Sequence, residues 1–260
     1  MCILYISYRS HPRYSLIVAA NRDELYERPS APAGFWPDHP GVFAGRDLRE
    51  GGTWLGMTTG GRFAALTNVR DLARLKKEAP SRGLLVRDFL CGDEHPLSCL
   101  ERLKARSDRY SGYNIIVGNR EGFFYFSNLK DSVTQLRPGS YGLSNHFLDT
   151  PWPKVRLARE RLDRVMAGGE EPSPEDIFHI LADRSKPADA DLPDTGVGLV
   201  WERILSSVFV RTEGYGTRSS TVIFVEHGGN VRFIERVFNG EPESYETMVG
   251  KFMLDASALL

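Results

Sequence analysis

Long apolar runs, metal-type spacings and any excess of one charge are all missing from this chain. No stretch approaches the roughly 20 apolar residues of a membrane-crossing helix, so no transmembrane segment is expected. The six histidines are scattered without an HxxxH or HExxH pair, and the three cysteines, Cys2, Cys91 and Cys99, lack ligand spacing. Neither a metal site nor a disulfide framework fits that pattern, and no cofactor is called for. Cys91 and Cys99 read as inert thiols. Lysine plus arginine number 33 against 34 acidic residues, a formal charge of −1. That balance supplies no electrostatic reason to bind nucleic acid or an anionic membrane. The segment Gly51-Gly52-Thr53-Trp54-Leu55-Gly56 is glycine-rich but lacks the GK[ST] of a phosphate loop. The amino end has no basic stretch before its short apolar run, so no signal peptide is expected and the cytoplasm is the default location.

What is present is a chain of 260 residues, 41 % of them hydrophobic, enough for a substantial core. Strand patterns lead: Cys2 to Tyr8 and Tyr14 to Ala20 form a hairpin across Ser10-His11-Pro12. A proline-rich loop, 28–40, precedes strands near 53–58 and 62–68, joined by Thr59-Gly60-Gly61. Helical spacing marks two short helices around Leu84 to Phe89 and Leu97 to Leu103. A hairpin covers 113–118 and 122–126. A helix is expected over 152–166, with Val155, Ala158, Leu162 and Val165 on one stripe. Another is expected over 174–183, capped by Ser173. Residues 183–198 read as an exposed loop and candidate lid. Strands over 204–211, 219–226 and 230–238 and a helix over 243–254 complete the order, that of an α+β domain of layered antiparallel sheets.

Cys2 stands out by position. Removal of Met1, usual before a small residue, leaves a thiol and a free α-amine on one residue. The amine's ordinary pKa of about 7.7–8.0 lets it accept a proton near neutral pH, the arrangement of N-terminal nucleophile chemistry. The plainer alternative is a small buried residue opening a core strand.

Polar clusters at strand ends point the same way. The second strand runs into Asn21-Arg22-Asp23-Glu24. A guanidinium there can lower a thiol's pKa, and a carboxylate can hold an ammonium. The fourth passes into Thr67-Asn68, where an asparagine amide can serve an oxyanion. Asn145 and Arg218 are further candidates, the first for orienting a substrate or tetrahedral intermediate, the second for binding a carboxylate or phosphate. An ordinary strand exit or turn would also account for each.

Asn21-Arg22-Asp23-Glu24, Ala44-Gly45-Arg46-Asp47, Gly51-Gly52-Thr53-Trp54-Leu55-Gly56, Ala65-Leu66-Thr67-Asn68-Val69-Arg70 and Gly216-Thr217-Arg218-Ser219-Ser220-Thr221 together resemble the NRDE family, also called the transport and Golgi organisation protein family. The resemblance spans essentially the whole chain. More distantly, the layout is similar to cysteine N-terminal nucleophile (Ntn) hydrolases of the penicillin and bile-salt acylase kind. It implies one domain over 1–260, a four-layer αββα sandwich, with Cys2 at the edge of one sheet. Cys2, Asp23, Asn68, Asn145 and Arg218 are the implied catalytic set, with Asn21, Arg22, Trp54 and Thr67 as ligand contacts. Arg22 and Asp23 are adjacent, whereas acylases separate their Arg and Asp by two residues. Strand alternation lets only one face Cys2 unless the strand has ended, and Asp23 is the favoured one.

Two functions follow from the resemblance. One is hydrolysis of a non-peptide C–N amide or related acyl bond in a small molecule. The other is carriage, without catalysis, of haem or an acyl-CoA or lipid in the same pocket. The oligomeric state stays open.

Overall fold

A computed structural model of the chain describes residues 2–76, 78–168 and 171–258. In chain order the elements are β1 (Cys2–Tyr8), β2 (Tyr14–Leu25), β3 (Ser30–Trp36), β4 (His39–Asp47), β5 (Leu55–Thr58), β6 (Phe63–Asn68), α1 (Gly83–Cys91), α2 (Pro96–Lys104), β7 (Tyr113–Asn119), β8 (Gly122–Ser127), β9 (Ser132–Gln135), β10 (Gly139–Leu143), α3 (Pro153–Ala167), α4 (Pro174–Leu181), α5 (Leu199–Leu205), β11 (Tyr215–Glu226), β12 (Asn230–Phe238) and β13 (Tyr245–Met253).

The strands form two antiparallel sheets. One has the order β10-β1-β2-β11-β12-β13, the other β3-β4-β5-β6-β7-β8-β9. Period-two alternation assigns the faces. Leu4, Ile6, Leu16 and Val18 of the first sheet meet Phe43, Met57, Phe63 and Ile116 of the second in a shared core. The intervening residues Ile3, Tyr5, Ile17 and Ala19 pack outward on α3 and α4 through Ala158, Leu162, Ile177 and Phe178. On the far side, Val86, Phe89 and Leu100 of α1 and α2 cover Ala64, Ile115 and Val117. The result is the αββα sandwich expected from sequence.

Three expected elements and one expected cap differ from the structure. The loop over 28–40 is largely a pair of strands, β3 and β4. β3 lies at a sheet edge, where a proline's missing N–H removes no ladder bond. Its register shifts between Ala31 and Gly34, around Pro32. The strand expected over 204–211 begins as α5. Its apolar run, Leu205 to Val210, is buried without strand pairing, and a short buried run alone does not separate strand from helix. The helix expected over 243–254 is β13, which pairs with β12 from Phe238↔Tyr245 to Asn230↔Met253. Tertiary pairing there overrides local spacing. Ser173 precedes α4 without a side-chain capping bond. Among the described residues no helix is long and apolar enough to cross a membrane.

Candidate active site

The β1–β2 ladder sets the geometry. Cys2 pairs in register with Arg22, and directly opposed residues share a face. β2 continues to Leu25, so Arg22 shares the thiol's face and the Asp23 carboxylate turns to the other. Arg22 therefore shares the strand face of Cys2, while the Asp23 charge acts on the thiol more strongly than that of Arg22. Asp23 still reaches Cys2 through its backbone, whose N–H is directed at the thiol. Its buried carboxylate accepts a bond from Thr217 Oγ1 at 2.7 Å, and the Tyr215 hydroxyl donates to its carbonyl at 3.1 Å.

Cys2 and Asp23 open onto a cavity of about 400 Å³, with Arg22, Trp54 and Asn68 also in its wall. Arg22 lies flat on Trp54, its guanidinium carbon 4.0 Å from the ring centroid, and donates to Ser30 Oγ at 3.3 Å. Gly45 lets Trp54 approach, because a Cβ there would sit 2.5 Å from the indole. Five of the nine sequence-derived candidates thus meet at one cavity. Asn145 is fully buried behind it: its amide donates to the Asn68 carbonyl at 2.9 Å. Beside it the Ser144 hydroxyl donates to the Cys2 carbonyl at 2.8 Å. The turn after β10 therefore ties the start of β1 to the end of β6, across the two sheets.

Asn21, Thr67 and Arg218 lie outside the cavity wall. Asn21 points toward the helices, donating to the Leu181 and Val208 carbonyls and accepting from Ser220. Thr67 accepts from the Asn114 amide at 3.1 Å. Arg218 sits at a bulge of β11 and holds the carbonyls of Leu25, Tyr26 and Arg28 at 2.9, 2.9 and 3.0 Å. It fastens the β2–β3 connection.

Burial pushes the Cys2 thiol above its ordinary value of 9.0. Asp23's charge adds to that, while its backbone N–H and Arg22 oppose it. The thiol is protonated near neutral pH and needs a base. Burial likewise raises the Asp23 carboxyl, against the pull of Lys154 and the Thr217 hydroxyl. Lys154, buried in the first turn of α3, is lowered to about 8 by burial, with Asp23 opposing. Sequence reading missed Lys154, whose position just before the apolar stripe of α3 carries no periodic signal. It also missed Arg82 in the cavity wall and Glu235 between the sheets. Glu235 did have a signal, since it continues the inward series Val231, Phe233 along β12. Among the described residues no group of three His, Cys, Asp or Glu is placed to hold a metal ion.

This layered arrangement recurs in solved structures. The N-acylethanolamine-hydrolyzing acid amidase (NAAA) ortholog of Caenorhabditis elegans matches with a TM-score of 0.51 at 14 % identity, over 85 % of this chain and 92 % of that one. The C2A mutant of the conjugated bile acid hydrolase from Clostridium perfringens matches with a TM-score of 0.53 at 9 % identity, over 98 % and 97 %. The fold is that of the Ntn hydrolases. Within it, the chain belongs to the Transport and Golgi organisation 2 family, whose profile matches residues 1–240. Similar relatives are the "Transport and Golgi organization protein 2 homolog" proteins of Bos taurus, 39 % identical over 98 % of this chain and 100 % of that one, and of Homo sapiens, 35 % identical over the same shares. The Drosophila melanogaster "Transport and Golgi organization protein 2" is 29 % identical over 92 % and 93 %.

Proposed function

We propose that this protein is an N-terminal-cysteine hydrolase of a non-peptide C–N amide or related acyl bond in a small molecule. The observation that carries the proposal is Cys2 at the cavity, paired with Arg22 and sharing the cavity wall with Asp23 and Asn68. Two solved structures that share the fold are named as amide- or conjugate-cleaving enzymes, an N-acylethanolamine-hydrolyzing acid amidase and a conjugated bile acid hydrolase.

Removal of residue 1 turns the Cys2 nitrogen from an amide into an amine. That amine takes the thiol proton, which the raised thiol does not release on its own. The sulfur attacks the carbonyl carbon, a C–S bond forms, and the carbonyl π pair moves onto oxygen. Asn68 lines the cavity and is the side-chain donor for that oxyanion. Asn145 acts through it as a positioning residue, holding its carbonyl. Collapse breaks the C–N bond, and the ammonium returns its proton to the leaving nitrogen. Water, deprotonated by the same amine, then cleaves the thioester and releases the acid, and the proton returns to sulfur.

The test is intact-protein mass spectrometry after incubation with an amide and acyl-thioester library. The expected result is loss of residue 1 and an acyl adduct on Cys2, absent in Cys2→Ala. Ligand retention without any adduct, equal in wild type and Cys2→Ala, would overturn the hydrolase. It would favour a carrier of haem or of acyl-CoA or lipid.

A further inference from the structure

Glu202 of α5 is drawn in two directions. Its Oε1 accepts from the Thr195 N–H at 2.8 Å and from the Thr195 hydroxyl at 2.6 Å. Its Oε2 lies 3.0 Å from Arg70 Nη2, and the two side chains are only 3 and 4 % exposed. That contact is not aligned as a hydrogen bond. Among the described residues Glu202 Oε2 and Arg70 Nε and Nη1 are buried without a hydrogen-bond partner. Trp152 pins the guanidinium from another side, its ring centroid 4.6 Å from the guanidinium carbon. An arginine and a carboxylate this close ordinarily meet side-on through two bonds. Orphaned buried polar atoms are rare, because each forfeits its hydration. Here Thr195 holds the carboxylate aside.

Thr195 belongs to the strap between α4 and α5. Gly196 and Gly198 follow it with φ of +81° and +83°, and a Cβ at either would meet nothing within 4 Å. No packing fixes these two residues, and glycine alone moves freely in and out of the left-handed region, as a hinge requires. Beyond them Val197, Trp201 and Leu205 line a groove of about 650 Å³ that Leu72 and Leu75 also line. Trp201, Leu72 and Leu75 are all exposed. The groove adjoins the cavity at Cys2, because Asn68, Leu75 and Arg82 belong to both walls.

We propose that α5 is a latched lid over this groove. Glu202 exchanges Thr195 for a side-on, two-bond pairing with Arg70. The strap turns at Gly196 and Gly198, and Trp201 moves onto Leu72 and Leu75, since Leu72 lies two residues beyond Arg70. Closure gives a partner to Glu202 Oε2 and to an orphaned Arg70 N–H, buries apolar surface now open to water, and narrows the way to Cys2. The latch operates whether or not Cys2 turns over a substrate.

The test places spin labels on Val200→Cys and Leu75→Cys, exposed positions near the lid and on the groove wall. Cys2→Ala and Cys91→Ser remove the accessible thiols, and buried Cys99 stays. Pulsed and continuous-wave dipolar spectroscopy reads the separation. Thr195→Val keeps the backbone N–H and removes the hydroxyl bond to the carboxylate. The ratio of short to long distances should then rise about tenfold, the worth of one hydrogen bond to a charged group. Adding Glu202→Gln should abolish the short distance. A bond that merely braces the strap predicts the opposite, a spread toward longer distances in Thr195→Val. That result, an unchanged distance in Thr195→Val, or a short distance that survives Glu202→Gln overturns the latch. Should the Glu202 variant fail to fold, Thr195→Val alone decides.

Discussion

Glu235 offers the sharpest test of the electrostatics between the sheets. It is 1 % exposed on β12 and accepts a hydrogen bond from the Ala33 N–H of β3 at 3.1 Å, bridging the two sheets. Burial raises its carboxyl from 4.5 to about 7, while the Ala33 N–H and the Arg22 charge pull the other way. The folded state therefore keeps a proton that the unfolded chain has already released. Through that interval the folded form binds more protons, so stability falls as pH rises from 4.5 to about 7 and the loss is complete above it. At about 1.4 kcal/mol per pH unit the full loss is about 3 kcal/mol.

Glu235→Gln keeps an oxygen for Ala33 and cannot ionise. Urea unfolding across about pH 4 to pH 8 should give a variant close to wild type at the acid end. At the alkaline end it should be more stable by about 3 kcal/mol, roughly a 1 M shift in midpoint for a chain of this size. Other titrating groups cancel in the difference between the two proteins. A difference that is flat across that range, or that favours wild type above about pH 7, would refute the reasoning.

Three further outcomes are expected. Arg70 and Glu202 form a buried ion pair at 3.0 Å; Glu202→Gln leaves a buried guanidinium without its anion and should cost about 3–5 kcal/mol in a denaturation curve. Arg70→Met with Glu202→Leu should recover most of it, and a double variant worse than the single counts against the account. Gly45→Ala drives a methyl into Trp54, with an expected loss of about 1–3 kcal/mol and a shift in tryptophan emission; unchanged emission and stability would contradict the packing. Lys154→Met removes a charge that pulls the Asp23 carboxyl down, so on the proposed mechanism any acid limb set by Asp23 should move to higher pH. A limb that stays in place dissociates Lys154 from Asp23.

The layered fold was legible because its strands alternate cleanly. Leu4 and Ile6 face one way and Ile3 and Tyr5 the other, and α3 shows its stripe. Elements were misjudged where long-range pairing decides. β13 exists because β12 offers it an edge, and β3 tolerates Pro32 because among the described residues no strand pairs beyond it. The site was legible as a set of strand ends, and Cys2, Arg22, Asp23, Trp54 and Asn68 do share a cavity. Register was the hidden variable. One residue of strand length exchanges the faces of Arg22 and Asp23, and nothing local marks where β2 stops. Arg218 sits beside the same strands, yet the β11 bulge gives it to three carbonyls.

That register has a chemical consequence. Arg22 rather than the Asp23 carboxylate shares the thiol's face, and its charge favours the thiolate; burial nevertheless outweighs it and leaves the thiol raised. A cysteine in this position is therefore quiet until a base arrives, and the bases around it are compromised. Asp23 is itself raised by burial, and Lys154 keeps its proton below about 8. An α-amine on Cys2, with an ordinary pKa of about 7.7–8.0, fits the vacancy in both place and strength. On the proposed mechanism, cleavage of residue 1 is thus the step that converts a folded, inert thiol into a nucleophile.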